Sequence, residues 1–342
     1  MKNNNMWNHF SENKYPENWD IIIQKLYFTN VFQSSDWAEY KELSGWNSEK
    51  LVYINKNEIK YAIQILKKVY FNCLQIIWVP GGIAFAHTEK NIEIEKYIYE
   101  LAQKLSENNY INYFRINLHQ PQSEKLIYLN NKYINKSKVR INSGYTIIID
   151  IDKDSTDILA QMSKKHRYYV RKSMKEDVNW IHLSNDDSIS KFVNAYNNML
   201  KSKKFHGESL TTKNIGLLKS KLNNKMILFS GMKDDELITS CILLIYGETA
   251  FYYLAVTTPD GRQLNISYAM IYESILYLKK LGIKKFNFGG INPSNLDARG
   301  VDHFKKGFGG EIIKYFGEYE WSKNKLISNF VNKAIKYKRG SF

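Results

Sequence analysis

Residues 289–310 read GGINPSNLDARGVDHFKKGFGG and bring together residue types that could carry chemistry. A glycine pair stands at each end of the segment, and two adjacent lysines lie between Phe304 and Phe308. A lysine held between aromatic anchors can stabilise a developing negative charge, and glycines allow close approach of the backbone to a bulky group. A phosphate cradle and a solvated basic loop are the alternatives that the same residues allow.

A second basic segment, SKKHRYYVRKSMKEDV (163–178), follows helical spacing. Its cations recur every three or four residues and would form one stripe on a helix: Lys164, Arg167, Arg171, Lys172 and Lys175. Such a stripe favours phosphate binding, with Arg167 and Arg171 as candidate substrate-binding residues, although a solvated helix face has the same pattern. His166, His206 and His303 stand near lysines and are interpreted as surface residues.

The common signatures of nucleotide, hydrolase and zinc sites are absent from the sequence. It contains no GxxxxGK[ST], GxGxxG, GxSxG or HExxH motif. The glycine-rich loop with which simple acetyltransferases hold acyl-CoA is replaced by GRQLNISYAM (261–270). The two cysteines, Cys73 and Cys241, lie in apolar runs without metal-ligand spacing. We therefore expect buried free thiols, no metal and no resident cofactor.

Composition indicates a folded chain with polyanionic partners. The 342 residues include 44% hydrophobic and 14% aromatic residues, enough for two ordinary domains with real cores. Lysine and arginine (49) exceed aspartate and glutamate (34) by 15, which favours nucleic acid, nucleotide-linked substrates or an anionic membrane surface. A lysine-rich solvated surface would give the same excess. No apolar run is long enough to cross a bilayer, and no signal-peptide pattern is seen, so a soluble cytoplasmic protein is expected.

Two similar halves organise these segments. Residues 51–66 and 227–245 both have hairpin patterns, and each is followed by a strand, a helical pattern and another strand. In the second half the helical pattern ends at Gly282, which fits a C-cap. On the strand TAFYYLAV, Tyr252 and Tyr253 must face opposite sides, and Tyr252 is assigned to the substrate side. The repeat predicts two mixed sheets flanked by helices.

Four stretches resemble the Fem-type (FemABX) aminoacyltransferases, which build peptidoglycan bridges from aminoacyl-tRNA. They are SSDWAEYKELSGW (34–46), the basic segment 163–178, KKFHGESLT (203–211) and the segment 289–310 with its Phe-Lys-x-x-Phe-Gly-Gly run. The resemblance implies an α+β fold of two tandem acetyltransferase-like (GNAT) domains with a cleft between them. Residues 1–144, completed by 318–342, would form the acceptor side, and residues 145–317 the donor and catalytic side.

The resemblance also implies roles for particular residues. Lys305 would be catalytic, stabilising the oxyanion, with Phe304, Gly289 and Gly290 contributing to substrate binding. Lys41 would bind a phosphate of the acceptor, and Trp37, four residues earlier on the same helix face, would also contribute to substrate binding. The expected partners are tRNA as donor, a nucleotide- or lipid-linked envelope precursor as acceptor, and a possible peripheral contact with the inner membrane.

The chain departs from the family pattern on the acceptor side. An arginine that helps hold the acceptor in short members would fall near Thr211, and an aspartate of some members is Asn117. The helical arm of larger members has no counterpart. An alternative is therefore an acyl-CoA-dependent N-acyltransferase acting on an amino sugar or lipid-linked glycan. A third reading is a non-catalytic RNA- or membrane-binding protein, which the retained glycine pairs and the Phe-Lys step disfavour.

Overall fold

The computed structural model describes residues 6–10, 18–56, 58–86, 94–123, 129, 131–182, 184–203, 209–293 and 299–339. The chain divides into two compact units. The first consists of Met1–Gly144 and Lys314–Phe342, and the second of Tyr145–Ile313. The chain therefore passes from the second unit back to the first between residues 313 and 314, whereas the sequence predicted this boundary between residues 317 and 318.

Within the described residues, the first unit begins with the following α-helices and strands in chain order. They are β1 (Met6–His9), α1 (Trp19–Gln24), α2 (Ser35–Glu42), β2 (Asn47–Asn55), β3 (Glu58–Tyr70), β4 (Leu74–Val79), β5 (Ala84–Phe85), α3 (Ile94–Leu105), β6 (Ile111–Pro121) and β7 (Asn135–Lys136).

The second unit then follows without interruption. Its elements are β8 (Tyr145–Asp150), α4 (Ser155–Ala160), α5 (Lys164–Ser173), β9 (Asn179–Ile181), α6 (Asp186–Lys203), α7 (Thr212–Leu222), β10 (Met226–Lys233), β11 (Glu236–Tyr246), β12 (Thr249–Thr257), α8 (Pro259–Gln263), α9 (Ile266–Lys280), β13 (Lys285–Ile291) and α10 (Arg299–Lys306). The chain returns to the first unit through β14 (Glu311–Trp321) and ends in α11 (Lys325–Arg339).

Each unit has a mixed sheet built on the same plan. The first sheet has the order β1-β2-β3-β4-β6-β14, and the second has the order β8-β13-β12-β11-β10-β9. In each, one neighbouring pair runs parallel, β4 with β6 and β12 with β13. A parallel pair needs a long crossover, which α3 and α9 supply. The predicted fold class and the repeated order of hairpin, strand, helix and strand are confirmed.

The crossover helices carry the apolar faces that close the two cores. On α3, Ile94, Ile98 and Leu101 recur at helical spacing and are fully buried against the first sheet. On α9, the Gly282 N–H donates to the Lys279 carbonyl, with Gly282 at φ +78°. A left-handed residue at this place favours glycine and satisfies a free carbonyl of the last turn, so the predicted C-cap is confirmed.

A buried polar network fixes α11 on the sheet of the first unit. Arg115 on β6 forms an ion pair with Glu318, and the Tyr113 hydroxyl donates to Glu320 over 2.7 Å. Asn332 of α11 donates to both Glu320 carboxylate oxygens at 2.9 Å. Because buried charges are costly unless they are paired, this network requires α11 to stay docked through its inner face.

The two cysteines have different environments. Cys241 is buried on β11, and burial raises the pKa of its thiol well above the ordinary value. Cys73 is exposed, so the expectation of a buried thiol was wrong there. The reason is the β3–β4 turn, in which Phe71 and Asn72 adopt φ values of +53° and +54° and lift the chain from the core. Within the described residues, no helix is long and apolar enough to span a membrane.

Candidate active site

The second sheet opens between its two parallel strands. β12 pairs with β13 over Thr249–Phe251 and then runs on to Thr257, while β13 runs on to Ile291. The equivalent pair in the first unit stays in register over six residue pairs, from Leu74 to Val79. The repeated plan thus differs at one place: the pairing of β12 with β13 ends after Phe251, although both strands continue.

Two local irregularities produce this separation. The pairing of β12 with β11 shifts between Leu254 and Tyr252, so Tyr253 is an extra residue in the strand. On β13, Gly289 adopts φ +67°, and a Cβ there would lie 3.2 Å from the Tyr252 carbonyl oxygen and from the Phe251 ring. Asn287 holds this turn of the strand, because its Oδ1 accepts from the Gly289 N–H over 2.8 Å. Gly289 therefore provides clearance for the neighbouring strand.

Lys305 lies on α10 and reaches the end of β13. Its Nζ donates to the Gly290 carbonyl over 2.7 Å. One turn earlier, Asp302 accepts from the Asn292 N–H at 3.1 Å through both carboxylate oxygens. The helix therefore clamps the end of β13 with one acceptor and one donor. Lys305 therefore lies on a helix, and the i, i+4 spacing of Phe304 and Phe308 fits this, although glycines flank the segment.

Burial lowers the pKa of Lys305 to about 8. The neighbouring Asp302 carboxylate raises this pKa, but by less than burial lowers it. The ammonium form still predominates at pH 7, and one of its three hydrogens is held by Gly290. The other two can be directed to a substrate oxygen. Lys306, the adjacent lysine, is exposed.

His166 locks α10 against the start of α5, which the sequence interpretation did not foresee. Its Nε2 lies 2.9 Å from the Phe304 carbonyl, which can only accept, so Nε2 carries the hydrogen. Nδ1 then accepts from the Ser163 hydroxyl over 2.8 Å. The ring is 1% exposed and abuts Gly307, where an added Cβ would lie 1.8 Å from ring carbon Cε1. His166, which the sequence predicted at the surface, is thus buried and connects α5 to α10 beside Lys305.

Aromatic rings surround His166 and the last turn of α10. Phe308 is fully buried, and Phe304 packs against it with ring centroids 5.1 Å apart. Tyr268 of α9 contacts both Phe304 and His166, at 5.1 and 4.9 Å. The rings fix the last turn of α10 from several sides, so the backbone that carries Lys305 has little freedom.

Tyr252 packs into the core of the second unit. Its ring lies 5.9 Å from Phe288 and 6.0 Å from Phe286, and burial raises the pKa of its hydroxyl well above the ordinary value. The assignment of Tyr252 to the substrate side therefore finds no support in this packing. The extra residue at Tyr253 disturbs strict alternation at this point of the strand, which explains why face assignment by counting is unsafe.

The second glycine pair makes room for the chain itself. Gly309 and Gly310 have φ values of +86° and +88°. Added Cβ atoms would lie 2.7 Å from the Gln161 carbonyl oxygen and 2.6 Å from that of Ile148. The interpretation of both pairs as clearance for a substrate was therefore wrong for this pair, because protein backbone already occupies the space.

The cations of α5 lie in two different environments. Arg167 donates to the Ala160 carbonyl over 3.0 Å and also to Met162, which ties the start of α5 to the end of α4. Arg171 is exposed in the last turn, as is Lys164 in the first. Arg171 is thus placed for a phosphate from solution, whereas part of the Arg167 guanidinium is already used within the chain.

Several main-chain donors around the start of α9 are already used within the chain. The N–H groups of Leu264, Asn265 and Tyr268 donate to carbonyls within the same turn. An added Cβ on Gly261 would lie 2.2 Å from the Ile238 carbonyl oxygen, so this glycine serves contact with β11. A helix start that binds pyrophosphate needs its N–H groups directed outward.

In the first unit, Trp37 and Lys41 lie together on α2 as predicted. Ser34 caps the helix by accepting from the Trp37 N–H at 3.2 Å. The Lys41 ammonium lies 4.9 Å from the centroid of the Trp37 ring, within cation–π distance. Trp37 is 3% exposed and packs edge-on against Phe32, so the lysine rests on a rigid aromatic base.

A polar pair follows on the same unit. Asn117 and His119 are two residues apart on β6, and their side chains meet at 2.8 Å. His119 stacks on Tyr315 with ring centroids 5.1 Å apart, and burial lowers the pKa of His119 to about 4. Asn117, at the position where the family resemblance would place an aspartate, is thus an amide in contact with a neutral imidazole.

Two remaining predictions concern α7 and its surroundings. Thr211 is the N-cap of α7 and accepts from the Asn214 N–H at 3.1 Å, so it has a structural task. His206 and most of KKFHGESLT lie outside the described residues. Among the described side chains, no group of three or more His, Cys, Asp or Glu residues is placed to hold a metal ion.

Comparison with known proteins relates part of the chain to one family. The FemAB family model matches residues 211–336. Aminoacyltransferase FemA of Staphylococcus aureus is 36% identical over 79 residues, which are 22% of this chain and 19% of FemA. The chain thus aligns with about a fifth of the length of the curated relatives it matches.

Solved structures share the fold. FemX superposes with a TM-score of 0.78 at 14% identity, covering 96% of this chain and all of FemX. The C-terminal domain of a putative lysylphosphatidylglycerol synthetase from Agrobacterium fabrum gives 0.55 at 10% identity, covering 92% and 96% of the two chains. The matched residues 211–336 include β12, β13 and α10 with Lys305, so the similarity to the FemAB family extends over this part of the second unit and into the C-terminal helix.

Proposed function

We propose that this protein is a Fem-type acyltransferase that moves an aminoacyl group from aminoacyl-tRNA to an amino group of a cell-envelope precursor. The observation that carries the proposal is the Lys305 ammonium, held 2.7 Å from the Gly290 carbonyl at the opening between β12 and β13. FemA, which shares 36% identity over 79 residues, is an aminoacyltransferase by name.

The reaction needs positioning and charge stabilisation more than a covalent intermediate. The acceptor amine forms the new C–N bond at the ester carbonyl, and the carbonyl oxygen becomes an oxyanion. Lys305, with two hydrogens not held by Gly290, donates to that oxyanion. The C–O ester bond then breaks, and the amine proton passes to the departing ribose hydroxyl through water or substrate groups. Main-chain groups of β12 and β13 orient the aminoacyl group.

The donor is assigned to tRNA because residues 261–270, GRQLNISYAM, lack the glycines with which simple acetyltransferases hold acyl-CoA. At the start of α9 the N–H groups of Leu264, Asn265 and Tyr268 are used within the chain, which disfavours a CoA pyrophosphate. Exposed Arg171 and Lys164 offer cations to a nucleic-acid backbone. Arg167 is assigned a supporting role in this binding, because its guanidinium also holds the end of α4.

The acceptor is assigned to the first unit, where Lys41 rests on Trp37. We expect Lys41→Ala to raise the KM for a phosphate-bearing acceptor about tenfold or more, the value of a lost charge-assisted hydrogen bond, with little change in kcat. Initial rates at varied acceptor concentration measure this. Lys96→Ala removes an exposed lysine of α3 in the same unit and is the matched control. A lower kcat with unchanged KM would contradict the assignment.

The donor test decides between the two acyltransferase readings. The purified protein is incubated with labelled aminoacyl-tRNA or with acetyl-CoA, each with peptidoglycan precursors and with amino-sugar acceptors. We expect acceptor-dependent loss of label from tRNA and none from acetyl-CoA. Acetyl-CoA consumption without any need for tRNA would overturn the proposal in favour of an N-acyltransferase.

A further inference from the structure

Helix α11 has two apolar faces, of which only one is docked on the protein. The inner face carries Val331 and Asn332, which are 7% and 4% exposed and meet the sheet of the first unit. Three other large side chains remain open to solvent: Leu326 at 71%, Phe330 at 56% and Tyr337 at 96% exposed. Exposure of this degree is unusual for three large apolar residues on one helix.

These three side chains form one stripe. At about 100° per residue, Leu326, Phe330 and Tyr337 lie within about 40° of one another around the helix axis. Val331 and Asn332 lie on the opposite half of the helix, so the stripe points away from the sheet. The arrangement repeats over three turns and therefore forms a continuous apolar ridge.

The surroundings of the stripe are cationic. Lys325, Lys333 and Lys336 are exposed on the same helix, with Lys333 next to the stripe and the others beside it. The sequence from Ser322 to Phe342 contains six lysines or arginines and neither aspartate nor glutamate: Lys323, Lys325, Lys333, Lys336, Lys338 and Arg339. An apolar stripe with an unbroken basic flank matches a surface that is negatively charged outside and apolar beneath.

We propose that α11 lies on the surface of an anionic lipid bilayer, with Leu326, Phe330 and Tyr337 inserted between headgroups and the lysines paired with lipid phosphates. Interfacial helices combine such an apolar face with flanking lysines. A folded RNA would satisfy the lysines and could stack on the rings, but the aliphatic side chain of Leu326 has no stacking partner there. A bilayer accommodates all three side chains and is therefore the favoured partner. This attachment is independent of the transfer reaction, because it is measured without substrate.

Vesicle flotation tests the attachment. The full chain is mixed with vesicles of phosphatidylcholine alone or with about a third phosphatidylglycerol, and the bound fraction is measured at low and high salt. We expect binding to the anionic vesicles at least about tenfold stronger than to the neutral ones, and weaker at high salt. Equal binding to both vesicles, or no binding to either, would overturn the proposal.

Two sets of variants locate the contact on α11. Combined L326S/F330S/Y337S should reduce binding to anionic vesicles more than about tenfold, because the inserted apolar area is lost. Combined K325E/K333E/K336E should reduce it by about a hundredfold or more, at about fivefold per charge removed. Leu281→Ser and Lys213→Glu change an exposed leucine and an exposed lysine of the second unit and should leave binding unchanged. Unaltered vesicle binding by either combined variant would refute the assignment.

A fluorescent label reports insertion directly. Phe330→Cys in a Cys73→Ser background gives one accessible thiol, because Cys241 is buried. An environment-sensitive dye at position 330 should shift to the blue with anionic vesicles, whereas the same dye at Leu281→Cys should not. Absence of the shift at position 330 would show that the stripe does not enter the bilayer. Loss of tRNA retention in the lysine variant with vesicle binding intact would instead identify RNA as the partner.

Discussion

Lys305→Ala is expected to lower the kcat of aminoacyl transfer by about 10²–10³-fold, the usual effect of removing one donor from an oxyanion site. The KM values should change little, because the interaction is strongest in the transition state. Lys306→Ala, which removes the exposed neighbour on the same helix, should keep activity within about twofold. Full activity in Lys305→Ala would remove Lys305 from the mechanism.

The pH dependence gives this prediction a second, independent signature. Burial lowers the pKa of Lys305 to about 8, so the ammonium is lost as the pH rises through this value. If the cation stabilises the oxyanion, kcat should fall above about pH 8. Lys305→Arg keeps a cation throughout this range, so its residual activity should lack the fall. The same alkaline limb in Lys305→Arg would assign that limb to another group.

Gly307→Ala should destabilise the second unit strongly, because its new methyl group would overlap the ring of His166. The added Cβ would lie 1.8–2.2 Å from three ring atoms, and a buried ring tied at both nitrogens cannot move away. Forcing such an overlap costs about 1–3 kcal/mol or more of the free energy of unfolding. Transfer activity should fall too, because the last turn of α10 carries Lys305. Urea denaturation followed by tryptophan fluorescence measures the stability.

Two further variants identify His166 as the cause. Gly300→Ala lies on the same helix with no atom within 4 Å of the added Cβ, so it should be neutral or slightly stabilising. His166→Ala is itself destabilising, but adding Gly307→Ala to it should cost less than about 1 kcal/mol, since the ring is gone. Additive losses in the double variant would show that Gly307 is required for a reason other than the histidine.

Much of the fold could be predicted from the sequence, because the spacing of apolar residues indicates which side chains are buried. The hairpins at 51–66 and 227–245 and the helices α3 and α9 each have an apolar pattern of one period. Lys41 beside Trp37 was equally predictable, since residues four apart share a helix face. These features depend on residues that are close together in the sequence, so one sequence is enough to predict them.

The details of the site depend on contacts between distant segments. His166 meets Phe304 and Gly307, about 140 residues away, and its own surroundings of lysines suggested a surface residue. The sequence suggested that Gly309 and Gly310 leave space for a substrate, but the carbonyl groups of Gln161 and Ile148 occupy that space. The opening of β12 from β13 arises from an extra residue at Tyr253 and the turn at Gly289, neither of which alters the apolar pattern.

The most direct measurement of the central claim is protection of Lys305 by a donor analogue. A hydrolysis-resistant, amide-linked aminoacyl-adenosine terminus is bound to the protein, and reductive methylation of each lysine is quantified by mass spectrometry. If Lys305 holds the aminoacyl carbonyl, the analogue should slow its methylation at least about tenfold and leave Lys306 unchanged, and neither coenzyme A nor the deacylated terminus should protect it. Methylation of Lys305 at the same rate with saturating analogue, or protection by coenzyme A, would contradict the account.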